Sequence, residues 1–124
     1  MPVVLAVACG GSLGALSRYG LDTFIERRVD ALFPLATFTI NVTGCFLNGL
    51  VVALVVDAFH APRWLGVGLV VGFLGAYTTF STFGAETYEL LELRHAALAV
   101  VNVAASAAVG VGAIALGQWL GRAL

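Results

Sequence analysis

Four long apolar runs dominate the chain, and polar or proline-bearing joints divide them. The first runs from about Val3 to Phe24 and ends at Glu26-Arg27-Arg28-Val29-Asp30. The second runs from about Leu35 to Val56 and ends at Asp57, His60 and Pro62. The third starts near Arg63-Trp64, reaches about Leu91 and is closed by Glu92, Arg94 and His95. The fourth runs from about Ala96 to Leu120 and ends at Arg122. A helix that crosses a bilayer needs about 20 mostly apolar residues, so each run predicts one spanning helix. The predicted fold is all-α, with four transmembrane helices in a single domain over residues 1–124. The joints are too short for a second domain. Pro2, Pro34 and Pro62 fall at helix starts, where a missing N–H costs little. Trp64 and Trp119 fall where interfacial aromatics belong.

The third run is unlike the others. Its stretch Gly72-Phe73-Leu74-Gly75-Ala76-Tyr77-Thr78-Thr79-Phe80-Ser81-Thr82-Phe83 holds two glycines, four hydroxyl residues from Thr78 to Thr82, and no proline. Glycine beside β-branched Thr is poor helix material. The stretch reads as a helix interrupted mid-membrane near Gly75 to Tyr77, or as a kinked continuous helix whose hydroxyls bond back to their own turn. Interruption at membrane depth is tolerated only where the freed backbone is buried in protein or lines a wet cavity.

Polar and small residues also form stripes on the other helices. Gly10, Gly14 and Arg18 share a face of the first helix, and the glycines allow another helix to approach closely. Arg18 reads as the wall of a positive vestibule or as a structural pair, in preference to a side chain that only snorkels. Thr37, Asn41, Gly44 and Asn48 line one face of the second helix. Asn48 suits an interhelical hydrogen bond; Asn41 suits a pore-lining amide whose NH₂ donates to an anion. Phe80 and Phe83 share a face of the third helix. They are either packing residues or rings that turn their positive edges toward a small anion. Glu86 suits a cap or a bond to the hydroxyls, and Glu89 an interfacial position. Asn102, Ser106 and Gly110 line the fourth helix, as packing or as a polar track opposite Asn41.

Composition narrows the function. Of 124 residues, 60% are hydrophobic and 10% charged, against about a quarter charged in a soluble domain. The formal net charge of −1 provides no basic patch, so no nucleic-acid partner is expected. Cys9 and Cys45 lie inside apolar runs and read as small packing residues. There is no Cys/His spacing for a metal, no phosphate-binding loop and no Ser/His/Asp set, so an enzyme is not expected. No acidic residue lies at a helix centre, which disfavours a proton-coupled carrier. Met1-Pro2-Val3 lacks a basic leader, and no cleaved signal peptide is expected. With four spans, Arg63 and Arg122 share one side of the membrane. Arg27, Arg28 and Arg94 lie on the other, with Arg18 near it. So small an arginine bias permits insertion in both orientations, although short apolar proteins also carry few charges.

In three blocks the chain resembles the Fluc (CrcB) fluoride channel family. They are Gly10-Gly11-Ser12-Leu13-Gly14-Ala15-Leu16-Ser17-Arg18-Tyr19, Thr39-Ile40-Asn41-Val42-Thr43-Gly44-Cys45-Phe46-Leu47-Asn48-Gly49, and the stretch from Gly72 to Phe83. The resemblance implies a passive, fluoride-selective channel of the inner (plasma) membrane that confers fluoride resistance. It implies an antiparallel dual-topology homodimer with two pores. It implies a structural Na⁺ at the dimer centre, held by backbone carbonyls that map here to Gly75 and Ala76. It implies pore roles for Asn41, Phe80, Phe83, Ser81, Thr82 and Ser106. The family's fourth-helix track reads Tyr, Ser, Ser at spacing four, whereas this chain has Asn102, Ser106 and Gly110. Only Ser106 carries over. The runner-up is a small multidrug-resistance-like exporter, but its membrane-embedded Glu on the first helix has no counterpart before Asp22. A passive membrane assembly subunit is the third reading.

Overall fold

A computed structural model describes residues 2–124. Helix α1 spans Pro2–Glu26. Helix α2 spans Leu35–Ala58; it is α-wound through Val51 and π-wound over Val52–Ala58. The third span, Arg63–Glu92, is two helices. Helix α3 covers 63–77 and is π-wound over Gly68–Leu74; helix α4 is Phe80–Glu92. Helix α5 is Ala96–Ala123. All four spans are long and apolar enough to cross a membrane, and there is no strand among the described residues. Pro34 and Pro62 cap α2 and α3, as the sequence predicts.

The interruption of the third span lies two residues beyond its expected place. Gly75, Ala76 and Tyr77 remain helical. The extended residues are Thr78, at φ −79° and ψ 159°, and Thr79, at φ −146° and ψ 115°. Capping chemistry sets the position: Thr79 Oγ1 accepts the Thr82 N–H at 3.2 Å, so Thr79 is the N-cap of α4. A glycine at a helical φ does not break the helix, whereas a β-branched hydroxyl residue can begin a new one.

The helices pack in two close pairs, α1 with α3 and α2 with α5. Glycines set both seams. A methyl group built on Gly14 would land on the Phe73 carbonyl oxygen, and one on Gly10 would land on that of Gly68. Gly49 meets the Ile114 carbonyl in the same way, and Gly117 that of Phe46. Backbones therefore touch directly, the arrangement that small residues permit between membrane helices. The apolar core is small, with Ile40, Leu74 and Leu90 its largest aliphatic members. Leu13, Leu16, Val111 and Trp119 face outward, which carries no penalty against lipid tails.

Candidate functional site

The site is built around the two extended threonines. In a continuous helix the Thr79 N–H would bond the Gly75 carbonyl. Here it donates to Asn41 Oδ1 at 2.8 Å, while Asn41 Nδ2 donates to the Thr79 carbonyl at 3.0 Å. One side-chain amide on α2 thus satisfies both polar groups of a buried backbone unit. Arg18 Nη1 on α1 reaches the Thr78 carbonyl at 3.4 Å. Thr43 and Tyr77 join hydroxyls at 2.8 Å and tie α2 to the end of α3. Among the described residues no backbone N–H from beyond the break bonds the Gly75 or Ala76 carbonyl.

Asn41, Phe80, Phe83 and Ser106 come together. With Val103 and Ala107 they line a groove of about 400 Å³ between α2, α4 and α5. The Phe80 and Phe83 rings are 5.6 Å apart and tilted by 37°. Phe80 is 84% exposed, so the groove has an open side. Asn48, Gly75 and Thr78 line an adjoining cavity that shares Asn41 and Phe80. Asn41 makes the interhelical bonds that the sequence reading placed on Asn48. Asn48 makes no side-chain hydrogen bond among the described residues.

The other predicted residues stand elsewhere. Thr82 lines a separate cavity of about 190 Å³ with Arg18, Asp22, Thr37 and Thr79. Its hydroxyl accepts from Thr79 Oγ1 at 3.0 Å. Ser81 is exposed, with Thr79 Oγ1 3.4 Å away. Glu86 bonds a hydroxyl, as expected: Thr37 Oγ1 donates to its Oε1 at 2.8 Å, and its Oε2 is buried without a partner among the described residues. Gly110 is buried against Cys45 Sγ and is a packing position.

A ladder behind the groove involves a residue that the sequence reading missed. Thr87 Oγ1 donates to the Phe83 carbonyl at 2.7 Å and accepts from Asn102 Nδ2 at 2.9 Å. Ser106 Oγ donates to Asn102 Oδ1 at 3.4 Å. The only sequence signal for Thr87 is its place four residues after Phe83, on the same face of α4.

The chain matches the family described as "CrcB-like protein, Camphor Resistance (CrcB)" over residues 5–118. It is 42% identical over 118 residues to the "Fluoride-specific ion channel FluC" of Solibacter usitatus, covering 95% of this chain and 97% of that one. Identity to the protein of the same description from Acidobacterium capsulatum is 45% over 120 residues, with 95% and 94% covered. For that of Geobacter metallireducens it is 42% over 124 residues, with both chains covered in full. Matched from end to end at this level, and built of four apolar helices, the chain is a multi-pass membrane protein that belongs to the CrcB family.

Proposed function

We propose that this chain forms a channel that lets fluoride leave the cell passively, down its electrochemical gradient, across the inner (plasma) membrane. The observation that carries the reading is the groove lined by Asn41, Phe80, Phe83 and Ser106 without a charged side chain. A channel must hold an ion well enough to replace its water and weakly enough to release it. Amide, hydroxyl and ring-edge donors meet both demands, where an arginine in the groove would trap the anion. Asn41 spends one N–H on Thr79 and keeps a second for an ion. Arg18 serves at a vestibule, drawing anions toward the Thr82 side of the break, where Ser81 and Thr82 add hydroxyls.

The functional unit is an antiparallel homodimer with two pores, each chain inserted in either orientation as one channel domain over residues 1–124, with the break at mid-membrane. The exposed Phe80 ring and the open side of the groove support a second copy completing each path. The Gly75 and Ala76 carbonyls, left without donors at the break, fit a hard cation that prefers oxygen. Two from each of two chains would hold a structural Na⁺, and its charge would fix the chains about their shared axis.

Purified protein in fluoride-loaded liposomes tests the reading. Fluoride is expected to escape rapidly, with chloride flux lower by at least about a hundredfold, or ~2.8 kcal/mol. Comparable chloride flux, or fluoride loss only with an imposed proton gradient, overturns it.

A further inference from the structure

We infer that Asn102 is a positioning residue that holds the Ser106 hydroxyl proton out of the groove and so weakens the grip on an anion there. The inference rests on the channel reading above.

Hydrogen count gives the ladder a direction. Thr87 has one hydroxyl proton and spends it on the Phe83 carbonyl. Its oxygen is therefore an acceptor toward Asn102, which fixes the Asn102 amide with Nδ2 toward Thr87. The Oδ1 atom must then face Ser106. A carbonyl oxygen only accepts, so Ser106 donates its one proton to Asn102 and offers lone pairs to the groove.

An anion at Ser106 needs that proton. Turning the hydroxyl into the groove strips Asn102 Oδ1 of its donor, and Asn102 is 1% exposed, so bulk solvent does not reach it to replace the bond. A buried acceptor left unmade costs free energy, and that cost is subtracted from anion binding at this step. Ser106 lines the groove together with Asn41, Phe80 and Phe83, where the ion would pass. Asn102 is not among the residues that line the groove and reaches it through its bond to Ser106.

Two substitutions release the hydroxyl by different routes. Asn102→Leu removes the acceptor at similar volume. Thr87→Val removes the acceptor that fixes the amide and is nearly isosteric; the freed amide can turn its N–H toward Ser106, which then accepts and frees its own proton. The fluoride concentration at half-maximal liposome flux is the readout, with yield of intact protein on size exclusion as the folding control. Both variants are expected to lower it by at least about fivefold, equivalent to ~1 kcal/mol, with no rise in maximal flux. Adding Ser106→Ala to either variant is expected to cancel the shift, because no hydroxyl is left to release. A purely structural Asn102 would lower yield and maximal flux while leaving the half-maximal concentration in place. Half-maximal concentrations unchanged or raised in Thr87→Val overturn the inference while wild-type flux stands. Absence of fluoride flux in the wild type overturns the channel reading and this inference with it.

Discussion

At the residue scale, Asn41 carries two loads that a single substitution cannot separate. Its amide satisfies both the N–H and the carbonyl of Thr79, a residue 7% exposed. Asn41→Leu strands both groups, each worth about 1–3 kcal/mol when buried and unmade. Thermal unfolding in detergent is expected to show a loss of ~2–6 kcal/mol, with flux lost as well. Asn41→Asp keeps the acceptor for Thr79 N–H but sets a second oxygen against the Thr79 carbonyl. It also places a negative charge where an anion would pass, so flux per intact protein should be abolished. The aromatic pair is the cleaner test, because neither ring makes a hydrogen bond. Phe80→Ile and Phe83→Ile keep bulk and remove the positive ring edge. If the edges act as donors, flux normalised to intact protein falls at least about tenfold, ~1.4 kcal/mol, in each. Near-normal normalised flux in both would reduce the rings to packing. Residue type and helix face single out Asn41 and the hydroxyls beside the two rings but leave packing open for each, and the pore roles come from the family resemblance. The direction of each hydrogen bond was not legible. It depends on which backbone groups the break at Thr78 and Thr79 sets free, and on a Thr87 that no pattern singled out.

At the element scale, the helices were read from apolar run length, and the run ends predict the observed bounds to within about three residues (first span Val3 to Phe24 against Pro2–Glu26). The π-wound segments Val52–Ala58 and Gly68–Leu74 were not legible. Over seven mostly apolar residues, hydrophobic pattern cannot separate one winding from the other, because either way most positions meet lipid or helix. Poor helix content around Gly75 predicts a break near Gly75 to Tyr77, whereas the capping hydroxyl of Thr79 sets it at Thr78 and Thr79. Glycine does decide the seams. A methyl on Gly14 would overlap the Phe73 carbonyl, whereas one on Gly20 of the same helix would meet nothing within 4 Å. Gly14→Ala is therefore expected to force α1 from α3 and destabilise by ~1–3 kcal/mol, the usual range for overpacking. Gly20→Ala gains helix propensity and should be neutral or stabilising by up to ~1 kcal/mol. Thermal unfolding of the two proteins side by side checks the pair. Equal effects would mean that backbone contact at the Gly14 seam does not hold α1 in place.

At the scale of the whole molecule, the described chain leaves its groove unclosed on one side. The groove is open beside Phe80, and among the described residues no N–H from beyond the break bonds the Gly75 or Ala76 carbonyl. A second copy related by an axis in the membrane plane would close the groove and double the carbonyls. That symmetry requires the two chains to insert in opposite orientations. The arginines allow it, because Arg63 and Arg122 on one side nearly balance Arg27, Arg28 and Arg94 on the other. A reporter fused after Leu124 should accordingly be found on both sides of the membrane in comparable amounts. Adding three lysines after Arg122 should lock most chains with that end in the cytoplasm, and adding them to the joint between α1 and α2 should lock the opposite orientation. Either locked protein alone is expected to lose nearly all fluoride flux, since antiparallel pairs cannot form. Co-expression of the two should restore it, because each supplies the orientation the other lacks, which also excludes damage by the added lysines themselves. Full flux from one locked form alone, or a single orientation in almost all wild-type molecules, would rule out the antiparallel pair and leave the open groove to be closed by some other arrangement of the chain.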